Sequence, residues 1–393
     1  MLIDIFHELQ RAQPWTRDYE RQLIADTLSQ ARLADSLDYG CWWSVEHHGA
    51  VDFSLSSTPE LMNVLIAEQT ERIRIGHSGV LSPFAINHPI RIAERAAFLD
   101  IRSGGRLELG LARSAGAEWD TFAVDGPRTR AEMAEVFRML PHLWNDVPFS
   151  WDSELIRIPP RNVVPKPLQR PHPPLWQTCT SAEAFHLAGT LGLGAIGVTL
   201  LTPLENLNAL HDAYRQGLAE CRDPAGEFVN ENFAIFTFVH CAESRQAAVR
   251  SRAAEGVLWY INQMPRVFES PRHYLVDGIR GQLQPGDEDV WVSRGADEIR
   301  SDMDPDDPVP VVRLLNRQAL GFELDPEEVL EALEPSASMV IGDVDTCLAK
   351  MKKYADFGVD RLLTFQSFGW LAHDDVLASM RRIGEEIVPV LTA

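Results

Sequence analysis

The chain has 393 residues, 45% of them hydrophobic and 24% charged, which is enough apolar sequence for a large buried core. A formal net charge of -21 excludes the basic surface that a nucleic-acid binder needs and disfavours docking on an anionic membrane. No apolar run approaches the roughly 20 residues of a membrane span, no secretory leader opens the chain, and five scattered cysteines form no CxxC pair, so a cytoplasmic protein with reduced thiols is expected.

Along the chain, short apolar runs alternate with longer amphipathic segments. LIDIF (2–6) reads as a strand, and a helix follows over about 17–39, with Ile24, Leu28, Ala31 and Ala34 on one face and Gly40 past its end. CWWSVE (41–46) is the next strand, and a helix opens near Ser57, Thr58 and Pro59. RIRIGHSGVL (72–81) is a strand, NHPIRIAERAAFLD (87–100) a helix with Pro89 in its first turn, RLELGLA (106–112) a strand and 128–144 a helix. Residues 147–173 are proline-rich around a β-like patch, SWDSELIRI, and read as an excursion from the repeat.

The alternation resumes with PLWQTC (174–179), a helix over 181–192, GAIGV (194–198), a helix over 203–221, FAIFTFVHC (233–241) and a helix over 243–262. After a long interruption come a helix at 344–357, the strand RLLTFQ (361–366) and a last helix carrying Val376, Met380, Ile383 and Ile387. Eight strands, most followed by a helix, predict one α/β domain, a (β/α)8 TIM barrel with insertions, whose functional groups sit at the C-terminal ends of the strands. The interruption at about 265–338 contains an acidic stretch, 284–310, with nine acidic and two basic residues. It is either a solvated surface loop or a lid over the barrel mouth.

Three sequence features bear on chemistry. GLGAIG (192–197) satisfies GxGxxG, but a helix ends where it begins and a strand follows, the reverse of the order a dinucleotide turn requires. Glu46, His47 and His48 could bind metal, fill a polar strand end or act on a ligand. Adjacent strand residues point to opposite faces, and no HxH, HExxH or His/Cys cluster accompanies them, so no metal site is expected and the choice lies between the other two. Thr180 and Ser181, in TCTSAEA (178–184), open a helix after a strand, either as an ordinary cap or as an anion site. Arg113, after another strand, could be a surface ion-pair member or the positive charge facing that anion. Together these two features suggest a phosphate-bearing cofactor at the barrel mouth.

Four ordered blocks carry a resemblance: EHHGAVDFSLSSTPELM (46–62), IGHSGVLSPFAINHPIRIAERAAFLDIRSGGRLELGLARS (75–114), residues 164–194 and residues 340–389. They resemble the bacterial luciferase-like, flavin-dependent monooxygenases over most of the chain outside about 265–338. The resemblance implies a barrel that binds FMN, reduced by a separate flavin reductase, and reacts it with O2. The resulting flavin C4a-hydroperoxide would oxygenate a small or medium organic substrate. By position, it makes His47 and its neighbour His48 the catalytic pair, and Arg113, Thr180, Ser181 and Glu183 the phosphate contacts. It puts Ser78–Gly79 beneath the flavin as a candidate cis peptide. His7, Glu8 and His240, at strand ends, would line the same mouth. Trp176 and Trp43 are either core residues or ligand contacts, and Trp176 is assigned to the substrate pocket.

A homodimer or higher homo-oligomer is also expected. Ser114 stands where the family commonly has glycine, and Ala112 where luciferase has a reactive cysteine, so light emission is not expected. Two alternatives remain open: a deazaflavin-dependent oxidoreductase of the same fold, and a non-catalytic flavin-binding partner subunit.

Overall fold

Strand β9 (Phe233–Cys241) is buried at all nine positions, as parallel strands covered on both faces must be. A computed structural model describes residues 1–114, 116–267, 276, 279 and 303–392. Eight strands run in one direction: β1 (Leu2–His7), β2 (Cys41–Ser44), β3 (Arg74–Leu81), β4 (Leu107–Ala112), β7 (Leu175–Thr178), β8 (Gly194–Val198), β9 and β11 (Arg361–Phe365). Each pairs with the next in parallel, and β11 pairs back onto β1 from Leu2 opposite Arg361 to Phe6 opposite Phe365. The sheet is therefore the closed (β/α)8 barrel that the alternation predicts. Intervening residues Phe149–Asp152 (β5) and Arg157–Arg161 (β6) pair antiparallel with each other. A short β10 (Val340–Gly342) extends the end of β9.

Helices α1 (Tyr19–Ser36), α2 (Pro59–Gln69), α3 (Pro89–Arg102), α4 (Gly116–Phe122), α5 (Thr129–Asn145), α6 (Ala182–Thr190) and α7 (Asn206–Glu220) connect the strands. Pro89 opens α3 where a missing N–H costs nothing, and His88 Nδ1 accepts from the Ile90 amide. The helix expected over 243–262 is two: α8 (Arg245–Arg250) and α9 (Ala253–Val267). Arg252, at φ 56°, breaks the helix between them. Helices α10 (Pro310–Ala319) and α11 (Pro326–Leu333) pack on α9, then α12 (Val344–Asp356) and α13 (His373–Arg382) complete the shell. Residues 284–302 of the acidic stretch lie outside the described residues, and with them most of the expected lid. Among the described residues no helix is long and apolar enough to cross a membrane.

Strand alternation divides the core in two. Ile3, Ile5, Trp42, Leu109, Phe233 and Leu362 face the helices, while Phe6, Trp43, Trp176, Phe236, Leu363 and Phe365 face inward. The lower barrel is closed by a charged layer. Arg361 donates to both Asp4 carboxylate oxygens at 2.7 and 3.1 Å, and its guanidinium lies 5.8 Å from each of the Trp43 and Trp176 rings. Trp43 Nε1 donates to Asp4 at 2.8 Å, and Trp176 Nε1 to Glu108 at 2.7 Å. This corrects the placement of Trp176 in the substrate pocket: both indoles are consumed in the plug below the mouth. The glycines of 192–197 likewise serve packing. Gly192 (φ +68°) ends α6, while added methyls at Gly194 and Gly197 would strike Trp176 and Phe185.

Candidate active site

β2 ends at Ser44, two residues short of the expected boundary, so His47 and His48 lie in the loop beyond it. That loop is stitched to the one after β1. Arg11 donates its amide to Phe53 O (2.8 Å), and Leu55 donates to Leu9 O (3.0 Å). The His47 amide donates to Ser56 O at 2.9 Å, which fixes where its ring can reach.

The His47 ring sits between two carboxylates, one from the loop after β1 and one from α4. Its Nδ1 is 3.2 Å from Glu118 Oε1, on α4, and its Nε2 is 3.9 Å from Glu8 Oε1, just past β1. Glu8 also accepts from Tyr260 Oη (3.1 Å), on α9, and from Gln10 Nε2 (3.1 Å). Glu118 is held by the Ser114 hydroxyl and, at 2.7 Å, by the His48 amide. Phe53 meets the imidazole edge-on at 5.8 Å and is followed by Tyr260 and Trp259. Burial disfavours the charged ring, but hydrogen bonds and charge from Glu118 and Glu8 outweigh it and carry the His47 pKa up to about 10. Burial likewise opposes ionisation of Glu118, and the hydrogen bond and charge of His47 reverse that, leaving its pKa below the usual value.

His48 turns the other way. Its Nε2 is 3.0 Å from Glu46 Oε1, and Phe122 covers it edge-on at 4.9 Å. Glu46 also accepts from the Leu81 amide and from Asn87 Nδ2, both at 2.9 Å, so this carboxylate ties the end of β2 to the end of β3. The His48 side chain therefore lies apart from the Glu8–His47–Glu118 cluster, to which the residue supplies a backbone N–H.

One more expected pocket residue, His7, is displaced. His7 faces outward: Nδ1 accepts from the Leu9 amide at 3.2 Å, Nε2 is 3.4 Å from Thr27 Oγ1 on α1, and the ring tilts against Trp42. Burial lowers its pKa to about 3, so it is neutral. The reason is strand parity, since Phe6 takes the inward position. His240, in register with Ile341 of β10, is 2% exposed, and burial followed by the Arg382 charge lowers its pKa to about 4. The contacts of His7 thus lie away from the Glu8–His47–Glu118 cluster, while His240 Nδ1 is buried with no hydrogen-bond partner among the described residues.

Strands β3, β4 and β7 approach one another very closely. The Ser78–Gly79 peptide is cis, and Ser78 Oγ lies 3.3 Å from Thr178 Oγ1. A Cβ on Gly79 would fall 2.3 Å from Ala112 Cβ, and one on Gly110 would fall 2.4 Å from Ser78 Oγ, so only glycine fits at either.

The remaining candidates gather where β4 and β7 lead into helices. Arg113 Nη1 is 3.5 Å from Thr129 Oγ1 at the start of α5. Ser181 caps α6, its Oγ accepting from Ala184 N at 3.3 Å, and Thr180 is exposed beside it. Glu183 gives its carboxylate to Arg130; that hydrogen bond, with the charges of Arg130 and Arg113, holds its pKa down. This revises the role of Glu183: a carboxylate repels a phosphate, so a contact with one is left to its backbone N–H. Arg113, Arg130, the Thr180 hydroxyl and the first-turn amides of α6 form a donor set suited to a phosphate monoester.

Sequence reasoning missed Glu118, Tyr260 and Arg130. One signal was available for Glu118, which lies a helical turn after Ser114 and can hydrogen-bond back to it.

A sequence profile described as luciferase-like monooxygenase matches residues 5–361, so the chain belongs to that family. It is 30% identical over 191 residues to the oxygenase component of a flavin-dependent trigonelline monooxygenase from Acinetobacter baylyi. That match covers 48% of this chain and 51% of the relative; the alignment spans about half the length of the curated relatives it matches. Among solved structures, monooxygenase RslO1 from Streptomyces bottropensis superposes with a TM-score of 0.73 at 20% identity, covering all of both chains. The oxygenating constituent of 3,6-diketocamphane monooxygenase from Pseudomonas putida, in complex with FMN, gives 0.72 at 16% identity over 99% and 98% of the two chains. An F420-dependent secondary alcohol dehydrogenase shares the fold at a TM-score of 0.67 and 15% identity, over 99% and 98%. At these identities the structures speak to the fold.

Proposed function

We propose that this chain is the oxygenase component of an FMN-dependent monooxygenase, which takes reduced flavin from a separate flavin reductase and uses O2 to oxygenate a small or medium organic molecule. The observation that carries the reading is the phosphate-suited donor set of Arg113, just past β4, Ser181, three residues past β7, and Arg130 at the start of α5, together with the His47 cluster past the ends of β1 and β2. The FMN in the camphane-enzyme complex and the name of the trigonelline relative, an oxygenase component, support the choice of cofactor and partner.

When bound, reduced FMN supplies the oxygen-activating chemistry. The protein's residues bind, orient and shelter. Arg113, Arg130, Thr180, Ser181 and the Glu183 amide would hold the phosphate. Ser78, Gly79 and Thr178 offer a close-packed shelf free of bulky side chains, on which a planar ring can rest. Phe53, Trp259 and Tyr260 give the substrate side an apolar wall next to His47. All five cysteines are free thiols, in keeping with a cytoplasmic site where reductase and flavin meet. Exposed Leu61 and Leu65 on α2, with Phe98 and Ile101 on α3, support assembly as a homodimer.

The test is transfer of 18O from labelled O2 into an organic substrate, screened over small candidate molecules, by purified protein with NADH, FMN and a flavin reductase, since free reduced flavin consumes O2 by itself. Turnover that requires all three supports the reading; binding of F420 with none of FMN selects the deazaflavin class instead. In the same assay His47→Ala is expected to lose oxygenation while FMN affinity changes by no more than a few-fold. Full coupled turnover by that variant removes His47 from the reaction.

A further inference from the structure

The geometry around His47 points to a role for a residue that neither motif nor relative names. We propose that Glu118 is a positioning residue that, with Glu8, keeps the His47 ring protonated, so that His47 serves as an imidazolium and not as a base.

The argument rests on who faces the ring. Nδ1 is 3.2 Å from Glu118, close enough for a direct hydrogen bond. Nε2 is 3.9 Å from Glu8 Oε1, an ion-pair distance, so a carboxylate faces each ring nitrogen. The groups around the pair are donors to the carboxylates: Tyr260 Oη and Gln10 Nε2 on Glu8, Ser114 Oγ and the His48 amide on Glu118. These bonds occupy the carboxylate oxygens, and both side chains are nearly sealed from water, at 3% and 1% exposure. Two buried anions facing one imidazole favour the imidazolium, because losing its proton would leave both uncompensated. The direction of the His47 pKa, up to about 10 from 6.5, agrees. A base at this position needs a neutral ring near pH 7, and the surroundings oppose it.

The consequence for turnover rests on the functional reading above; the protonation state itself does not. NMR of the ring nitrogens in the full-length protein, labelled with 15N-histidine, tests it directly, the His47 signals being assigned by their loss in His47→Gln. The expected result is a doubly protonated ring at pH about 7.5, with Glu118→Gln and Glu8→Gln each lowering the midpoint and Glu118→Asp restoring most of it. A neutral ring in the wild type overturns the proposal, and an unmoved midpoint in folded Glu118→Gln removes Glu118 from it. Should Glu118→Gln not fold, the wild-type midpoint and Glu8→Gln decide.

In reconstituted turnover, kcat is expected to stay level through the ordinary histidine range near 6.5 and to decline as pH rises towards about 10. A rise in kcat through 6.5 shows a base and overturns the proposal. Absence of any oxygenation alongside a protonated ring sinks the functional reading and leaves the Glu118–His47 relationship standing.

Discussion

Glu118 and His47 are 71 residues apart in sequence and 3.2 Å apart in space, joining the loop after β2 to the short helix after β4. The pair is a tertiary cross-link as well as a piece of site chemistry, and it makes stability depend on pH. The folded-state pKa of His47 is raised, so its contribution is fully present below the unfolded value of 6.5 and is lost as pH rises through about 10. The unfolding free-energy gap between wild type and His47→Gln should therefore shrink between those limits, by about 1.4 kcal/mol per pH unit. Urea unfolding at a series of pH values measures it. A gap that is flat across the window refutes the linkage.

At the phosphate end, Arg113→Ala should weaken FMN binding by about 1.5–3 kcal/mol, the range for a charge-assisted hydrogen bond. Flavin fluorescence titration reads this directly. An unchanged affinity would discard Arg113 as a phosphate contact.

The lower barrel offers a test of stability without the mouth. Arg361→Met leaves Asp4 buried and uncompensated, and should cost about 3–5 kcal/mol. The double variant Asp4→Asn with Arg361→Met removes the orphaned charge and keeps an acceptor for Trp43, so it should recover much of that loss. If the double variant is no more stable than Arg361→Met, the pair is not what closes the barrel.

Helices α6 and α7 touch through glycines. A Cβ on Gly217 would fall 2.1 Å from His186 O, and one on Gly189 would fall 2.5 Å from Tyr214 O. Since the obstacles are backbone atoms, Gly217→Ala must push the helices apart, at about 1–3 kcal/mol. A thermal melt indistinguishable from wild type would show that the interface yields more easily than its geometry implies.

Much of the architecture was legible in local pattern. The eight barrel strands appear in the sequence as short apolar runs with helices between them, because a strand buried on both faces must be apolar throughout while its helix needs only one apolar stripe. GAIGV and FAIFTFVHC were delimited to the residue. The break at Arg252 was not legible, since nothing in the residue type announces a positive φ.

Side-chain direction was the harder quantity. His7 and Glu8 are neighbours at the end of one strand, yet His7 packs against Thr27 on α1 and Glu8 turns towards His47. Trp43 and Trp176 face inward but lie in the lower layer, where Asp4 and Glu108 take their indole N–H groups. Depth within a barrel depends on the stagger of the neighbouring strands, which a single strand does not encode.

The sequence by itself determined the barrel, the place of His47 beyond β2 and the cap at Ser181, because each rests on periodicity or on residues adjacent in the chain. Only the tertiary structure decided that His47 lies between Glu118 and Glu8, that His48 belongs to Glu46, and that Arg130 takes the Glu183 carboxylate. The reason is physical: a protonation state or a phosphate grip is set by groups within a few ångströms, and here barrel closure, not chain order, brings those groups together.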